Sequence, residues 1–202
     1  MILFRFSKTD GAEFIAHLDI LRHIGRTMRR AGIKVAFSQG FNPHMLIYLS
    51  APMGIGIKSY AEYCIVDTDE EPNSFIEKFN EFSPMGFTCL GAWKTDKKVG
   101  VASDIVKAEY FVTGINDFDE KKILLRDEFI IEKKGEEKNV RHLIYSIEKK
   151  DNGISCVIGF ANGIRIEKFV ETLVKEFGGG EITAVKTRGL TEDGNDFENS
   201  LR

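Results

Sequence analysis

Cysteine is scarce in this chain. The three present, Cys64, Cys89 and Cys156, are odd in number and far apart. That pattern excludes a disulfide framework and points to reduced thiols in a reducing compartment. Each thiol sits in a run that reads as strand (AEYCIV, FTCLGAW, ISCVIGF), so each is expected to be a small buried hydrophobe. No stretch approaches the roughly 18 apolar residues of a membrane helix. The opening MILFRFSK is short, carries Arg5, and lacks the small-residue cleavage site of a signal peptide. A cytoplasmic protein without membrane attachment is the expectation. Nucleotide and metal signatures are missing too: no Walker loop, GxGxxG, HExxH or Cys-x3-Cys-x2-Cys cluster motif occurs. The four histidines, His17, His23, His44 and His142, are not at metal spacing. No metal and no cofactor are expected in this chain itself.

What is present is an ordinary globular composition, 43% hydrophobic and 29% charged over 202 residues. That length allows one large domain or two small ones, and a chain of this size buries about 70% of its unfolded surface without staples. The net charge of −3 is unevenly spread. Residues 1–60 hold eight Lys and Arg against three Asp and Glu, so the remainder is strongly acidic. One positive face on an acidic protein is compatible with local binding of an anion or a polynucleotide, although an ordinary solvated surface produces the same imbalance.

Periodicity organises the chain into two similar runs. Residues 2–7 read as a strand. A helix follows from Glu13, with Phe14, Leu18, Leu21, Gly25 and Met28 on one stripe, Ile20 and Ile24 widening it, and Gly32 at its end. Lys34–Phe37 and Met45–Ser50 read as strand pieces, and Tyr60–Thr68 as a strand. A helix begins near Pro72 and stops at Pro84, and Gly86–Lys94 is a further strand. The order β-α-β-β-α-β is the split βαβ arrangement. A second copy is expected from strand 106–113, a helix at 119–127, a strand at 129–133, a hairpin (140–149 and 154–161) around Asn152-Gly153, a helix at 166–177 and a strand at 182–188. The predicted class is α+β: two ferredoxin-like βαββαβ halves, antiparallel sheets with helices packed on one face. The expected units are 1–97 and 104–190, followed by a polar, frayed tail, 191–202.

Two groups of residues point to binding. The loop Ser38-Gln39-Gly40-Phe41-Asn42-Pro43-His44 offers Ser38, Gln39, Asn42 and His44 as hydrogen-bonding ligand groups, with Gly40 allowing close backbone approach and Pro43 stiffening the loop. A self-satisfied turn is the competing reading. Arg22, Arg26, Arg29 and Arg30 form a basic helical stripe suited to phosphate or RNA backbone contact, although cations at 29 and 30 are also favoured by the helix dipole alone. His17, near the helix start, is the one candidate for acid–base catalysis.

The segments RFSK (Arg5–Lys8), HLD (His17–Asp19), RRAG (Arg29–Gly32), SQGFNPH (Ser38–His44) and AEY (Ala61–Tyr63), with NVRHLIYSIE from Asn139 and KTRGL from Lys186 more diffusely, resemble the radical SAM-linked protein family, a bacterial domain of unknown function. The sequence departs from that family's pattern at Met45 and Leu46, where Pro or Arg is frequent. The resemblance implies an accessory module working with a radical SAM protein. The iron–sulfur cluster, S-adenosylmethionine and cobalamin then belong to that partner, and RNA (tRNA or rRNA) is the expected substrate of modification. More distantly the first half is similar to ferredoxin-like CRISPR-repeat endoribonucleases, which implies a metal-independent nuclease using a helical His such as His17. A purely structural protein–protein partner is the third expectation.

Overall fold

The computed structural model describes residues 1–96, 100–133, 135–159 and 164–201. The first run comprises β1 (Ile2–Lys8), a 3-10 turn (Ala12–Phe14), α1 (His17–Arg30), β2 (Ile47–Leu49), β3 (Lys58–Val66), α2 (Pro72–Phe82) and β4 (Cys89–Lys94). The second comprises α3 (Val101–Asp104), β5 (Lys107–Ile115), α4 (Glu120–Leu124), β6 (Ile130–Lys133), β7 (Glu136–Asn139), β8 (Ile144–Lys150), β9 (Gly153–Gly159), α5 (Ile166–Phe177) and β10 (Gly179–Leu190), with 3-10 turns at Arg141–Leu143 and Phe197–Leu201. The fold is mixed α+β around a mostly antiparallel sheet. The expected unit boundary at residue 97 and the end of the expected strand 154–161 lie outside the described residues.

Local chemistry explains the helix ends. Pro72 opens α2, where its missing N–H leaves no partner unsatisfied. At the end of α1, Gly32 takes φ +67°, its N–H bonds Arg29 O, and the N–H of Ile33 bonds Met28 O. This double bond pattern needs a left-handed residue, which glycine supplies without a Cβ penalty.

The buried stripe of α1 differs from the expected one. Ile20, Ile24, Thr27 and Met28 are buried, whereas Phe14 and Leu18 are 66% and 67% exposed. Phe14 belongs to the preceding 3-10 turn, entered through Gly11 at φ +94°, so it is out of phase with the helix. Two apolar stripes competed on α1, and contact with the sheet chose the one at 20, 24 and 28.

One sheet runs through both halves, in the order β4-β1-β3-β10-β5-β9-β8, with β2 paired to β3 beside that path. β2 and β10 share one edge of β3. β2 covers Cys64–Val66, and β10 runs parallel against Lys58 and Ser59. β2 is shorter than the expected 45–50 piece. Pro52, with Gly54 and Gly56, turns the chain away beyond it and leaves the edge open for β10. The remaining pair, β6 with β7, forms a separate ribbon.

Each half has its own core on the same sheet face. Phe4, Phe6, Cys64 and Val66 pack under α1 and α2, while Tyr110, Cys156 and Ala184 pack under α5. Between the cores lies a buried polar seam. Lys186 Nζ is 3.1 Å from Glu62 Oε1, which also accepts from Ser59 Oγ at 2.8 Å. Lys8 is 2% exposed beside them. Burial lowers its pKa from the usual 10.5, opposed by the charges of Glu62 and Glu13.

The tail does not fray. Phe197 is fully buried with Leu3, Tyr63 and Ile65 on the other sheet face, and its ring meets Tyr63 edge-on at 5.2 Å. Glu198 accepts from Arg5 Nη1 at 2.5 Å and from the Tyr63 hydroxyl at 2.6 Å. Burial first, then Glu198, raises the Tyr63 pKa. The acidic residues around Phe197 hide this anchor in sequence, because its partners lie at the other end of the chain.

Two outcomes are expected in denaturant melts. Phe197→Ala is expected to lose about 3–5 kcal/mol, the usual cost of emptying a buried aromatic site; a loss under 1 kcal/mol would mean the tail is detached in solution. Just below pH 10.5 the unfolded chain holds the Lys8 proton more tightly than the fold does, so stability rises with pH there. Lys8→Met is therefore expected to exceed the parent in stability at pH 7, with the advantage shrinking toward pH 10.5. A constant difference would show that Lys8 titrates normally.

Candidate nucleic-acid interface

The chain that leaves the first group, the loop, packs against the helix that carries the second, the arginines. A Cβ built on Gly25 would stand 3.6 Å from Met45 Sδ and 3.7 Å from Ile47 Cδ1, so the chain leaving the 38–44 loop lies against this part of the helix. Arg22 and Arg29, three residues before and four after Gly25, flank that contact on the same side of the helix. Arg22, Arg26 and Arg29 are all exposed. Arg22 pairs with Asp19 at 2.8 Å in an open i,i+3 bridge, which holds it weakly. The side chains of Arg26 and Arg29 make no hydrogen bond or ion pair with any described residue. Arg30 leaves the stripe. Its Nη2 donates to Phe82 O at 2.9 Å and to Thr27 Oγ1 at 3.1 Å, tying α1 to the end of α2. His23 also turns inward, stacked on Phe87.

The loop is pinched at its base. Ser38 N–H donates to His44 O at 2.8 Å, His44 N–H donates to Ser38 Oγ at 3.1 Å, and Ser38 Oγ lies 2.8 Å from His44 Nδ1. An isolated bridge between Phe37 and Met45 continues the closure. Serine beside imidazole is also the pairing of a nucleophile and its base. Among the described residues no third group hydrogen-bonds the ring, and the exposed pair closes the base of the loop. Thus Ser38 and His44 follow the turn reading, and only Gln39 and Asn42 keep exposed amides without a partner among the described residues. Gly40 at φ +128° carries the backbone over the tip, a conformation side chains rarely adopt.

Phe41 was missed as a functional candidate. It stands fully exposed at the loop tip. The signal lay in its isolation: a large aromatic next to Gly40, in a segment with no apolar periodicity to bury it.

His17 opens α1. It is half-buried, eight residues before Gly25 and so about 12 Å along the helix at 1.5 Å per residue. It has no hydrogen-bond partner among the described residues.

The surroundings limit the basic surface. Ala36 N–H bonds Asp67 O, and the cleft there is lined by Asp67, Asp69, Glu70 and Glu71. Acidic groups thus outnumber the single cation, Lys34, among the residues lining that cleft. A separate groove of about 550 Å³ lies between α5 and the 3-10 turn, lined by Phe14, Ile57, Val170, Val174 and Ile182, and none of the polar residues chosen from sequence reaches it. Among the described residues no cluster of His, Cys, Asp and Glu could hold a metal, and no helix is long and apolar enough to cross a membrane. The thiols are buried, as expected, and burial raises their pKa values, to about 12 for Cys89 and Cys156.

With this geometry in view, the comparisons bear on identity. A family model described as "Uncharacterized protein conserved in bacteria (DUF2344)" matches residues 1–176. The chain belongs to this family. The family span includes α1, the stapled loop and most of α5, and stops before β10. No curated protein matches. Among 17 matching solved chains, one comes from a structure of an H/ACA RNP bound to a substrate RNA containing 2'-deoxyuridine. The likeness has a TM-score of 0.47 and 11% identity, covering 93% of this chain and 47% of that one. This chain thus spans about half the length of that relative, and a likeness at this level carries no inference about function.

The buried thiols allow a direct check. In the native protein none of Cys64, Cys89 and Cys156 is expected to react with a maleimide on the timescale on which all three react in denaturant. Rapid labelling of one cysteine without unfolding would contradict its burial.

Proposed function

We propose that this chain is an RNA-binding accessory module that presents RNA, tRNA or rRNA, to a radical SAM partner. The observation that carries the reading is the exposed edge of α1. Arg22, Arg26 and Arg29 face solvent, the last two unpaired among described residues, beside a projecting stapled loop. Guanidinium groups held in a row on a helix suit the spaced anionic charges of a phosphate backbone. Excess cations in residues 1–60 steer a polyanion to this side of an otherwise acidic protein.

In this reading the chemistry belongs to the partner, which carries the iron–sulfur cluster, S-adenosylmethionine and cobalamin. The buried, alkaline-shifted thiols suit a reducing cytoplasmic setting without thiol chemistry. Strand orders β4-β1-β3-β2 and β10-β5-β9-β8 support taking each half as a ferredoxin-like βαββαβ unit with α1, α2 and α5 on one face. Folds of that kind host many activities, so the assignment rests on the surface.

Titrating labelled RNA at several salt concentrations tests the proposal. Arg26→Ala with Arg29→Ala is expected to weaken binding and to flatten the slope of log affinity against log salt by about 1–2. Equal affinity and slope in the double variant, or no binding by the parent, would overturn it. RNA cleavage lost in His17→Ala would replace it with a nuclease, and co-purification of the radical SAM protein without any RNA affinity would leave a protein-contact subunit.

A further inference from the structure

Building on that RNA-binding reading, we infer that the ligand is RNA with an unpaired nucleotide, whose base stacks on Phe41 while Gln39 and Asn42 meet its edge. An exposed phenylalanine on a flexible loop would collapse onto nearby apolar surface. This one is held away from the body by the Ser38–His44 staple, the Phe37–Met45 bridge and the positive φ of Gly40. Asn42 precedes Pro43, which disfavours helical backbone at that residue and stiffens the tip further. The ordering cost is therefore largely met before a ligand arrives.

The chemistry of the tip matches a base better than a backbone. Every base has a π-face, and stacking on an aromatic ring is tolerant of sequence. In a duplex those faces are occupied by neighbouring bases, and the A-form major groove is too narrow for side chains to read. Phe41 thus has nothing to stack on in continuous duplex. Gln39 and Asn42 flank the ring in sequence, exposed and without hydrogen bonds to other described residues. Each amide carries donor and acceptor, the complement of a free base edge. No cation lies within the loop, from Ser38 to His44. Arginines enter from α1, alongside the loop's departing strand. Ring and amides at the tip, with guanidinium groups on the helix against which Met45 and Ile47 pack, match the division between base contact and phosphate contact in single-strand recognition.

The test compares a single-stranded RNA carrying 2-aminopurine, the same strand in a full duplex, and three proteins: the parent, Phe41→Ala, and the Arg26→Ala/Arg29→Ala double variant. Removing the fully exposed Phe41 ring leaves the core untouched. The expected result is preference for the single strand, stacking-type fluorescence change on binding, loss of that change in Phe41→Ala, and about tenfold or greater loss of its single-strand affinity. Phe41→Trp is expected to restore both. Undiminished single-strand affinity and signal in Phe41→Ala, with binding still weakened in the arginine variant, would overturn this inference and leave the RNA reading standing. Equal affinity for the duplex would do the same. Absence of any RNA binding by the parent would remove the RNA reading and this inference together.

Discussion

The joint between β3 and β10 is the constraint on which the rest of the architecture depends. It consists of two parallel register pairs, Val185 with Lys58 and Lys186 with Ser59, and it turns two sheets into one. So short a ladder specifies register weakly by main-chain bonds alone. The buried Lys186–Glu62 pair, shared with Ser59, supplies the discrimination. Sliding β10 by one residue would turn Lys186 to the other face and leave Glu62 without its partner, at the cost of an uncompensated buried charge. A pair of this kind adds little net stability over a well-packed apolar substitute, and its contribution here is to select one alignment of the halves. The back face reinforces that alignment, since the chain leaving β10 places Phe197 and Glu198 against Tyr63 and Arg5 of the first half.

With the halves locked, the helix-bearing face carries α1 at one side, and its outer edge stays in solvent. The short β2 that lets β10 reach β3 also leaves a long excursion between α1 and β2. The loop 38–44 belongs to that excursion, and its return path packs on α1 at Gly25. Fold and surface are therefore linked, because one strand edge divided between β2 and β10 accounts for both the joint and the projecting loop. Three cationic side chains of the first half are absorbed into structure: Arg5 by Glu198, Arg30 by the end of α2, and Lys8 by the seam. What remains open on this side is a set of guanidinium groups, two amides and a phenyl ring.

Much of the element order was legible because periodicity and punctuation are local. Pro72 and Pro84 bracket α2, Asn152-Gly153 joins β8 to β9, and Gly32 closes α1, all through backbone rules that act within a few residues. The burial of α1 was legible only in part. Both Phe14–Leu18–Leu21 and Ile20–Ile24–Met28 are helical stripes, and a periodic pattern cannot say which one the sheet will cover. The candidate residues chosen from sequence take on varied structural roles. Ser38 and His44 turned out to hold each other, Arg30 caps a neighbouring helix, and Phe41 was overlooked because hydrophobic side chains are ordinarily assigned to the interior.

The sequence by itself determined most of the strands and the longer helices, the burial of the thiols and the basic character of the first third, since these follow from composition and short-range spacing. Tertiary structure alone decided that both halves share one sheet and that the acidic tail is anchored by Phe197. Those outcomes depend on pairs such as Lys186 with Glu62 and Arg5 with Glu198, separated by 124 and 193 positions. Such partners are brought together by chain topology and burial, and no local pattern encodes their meeting.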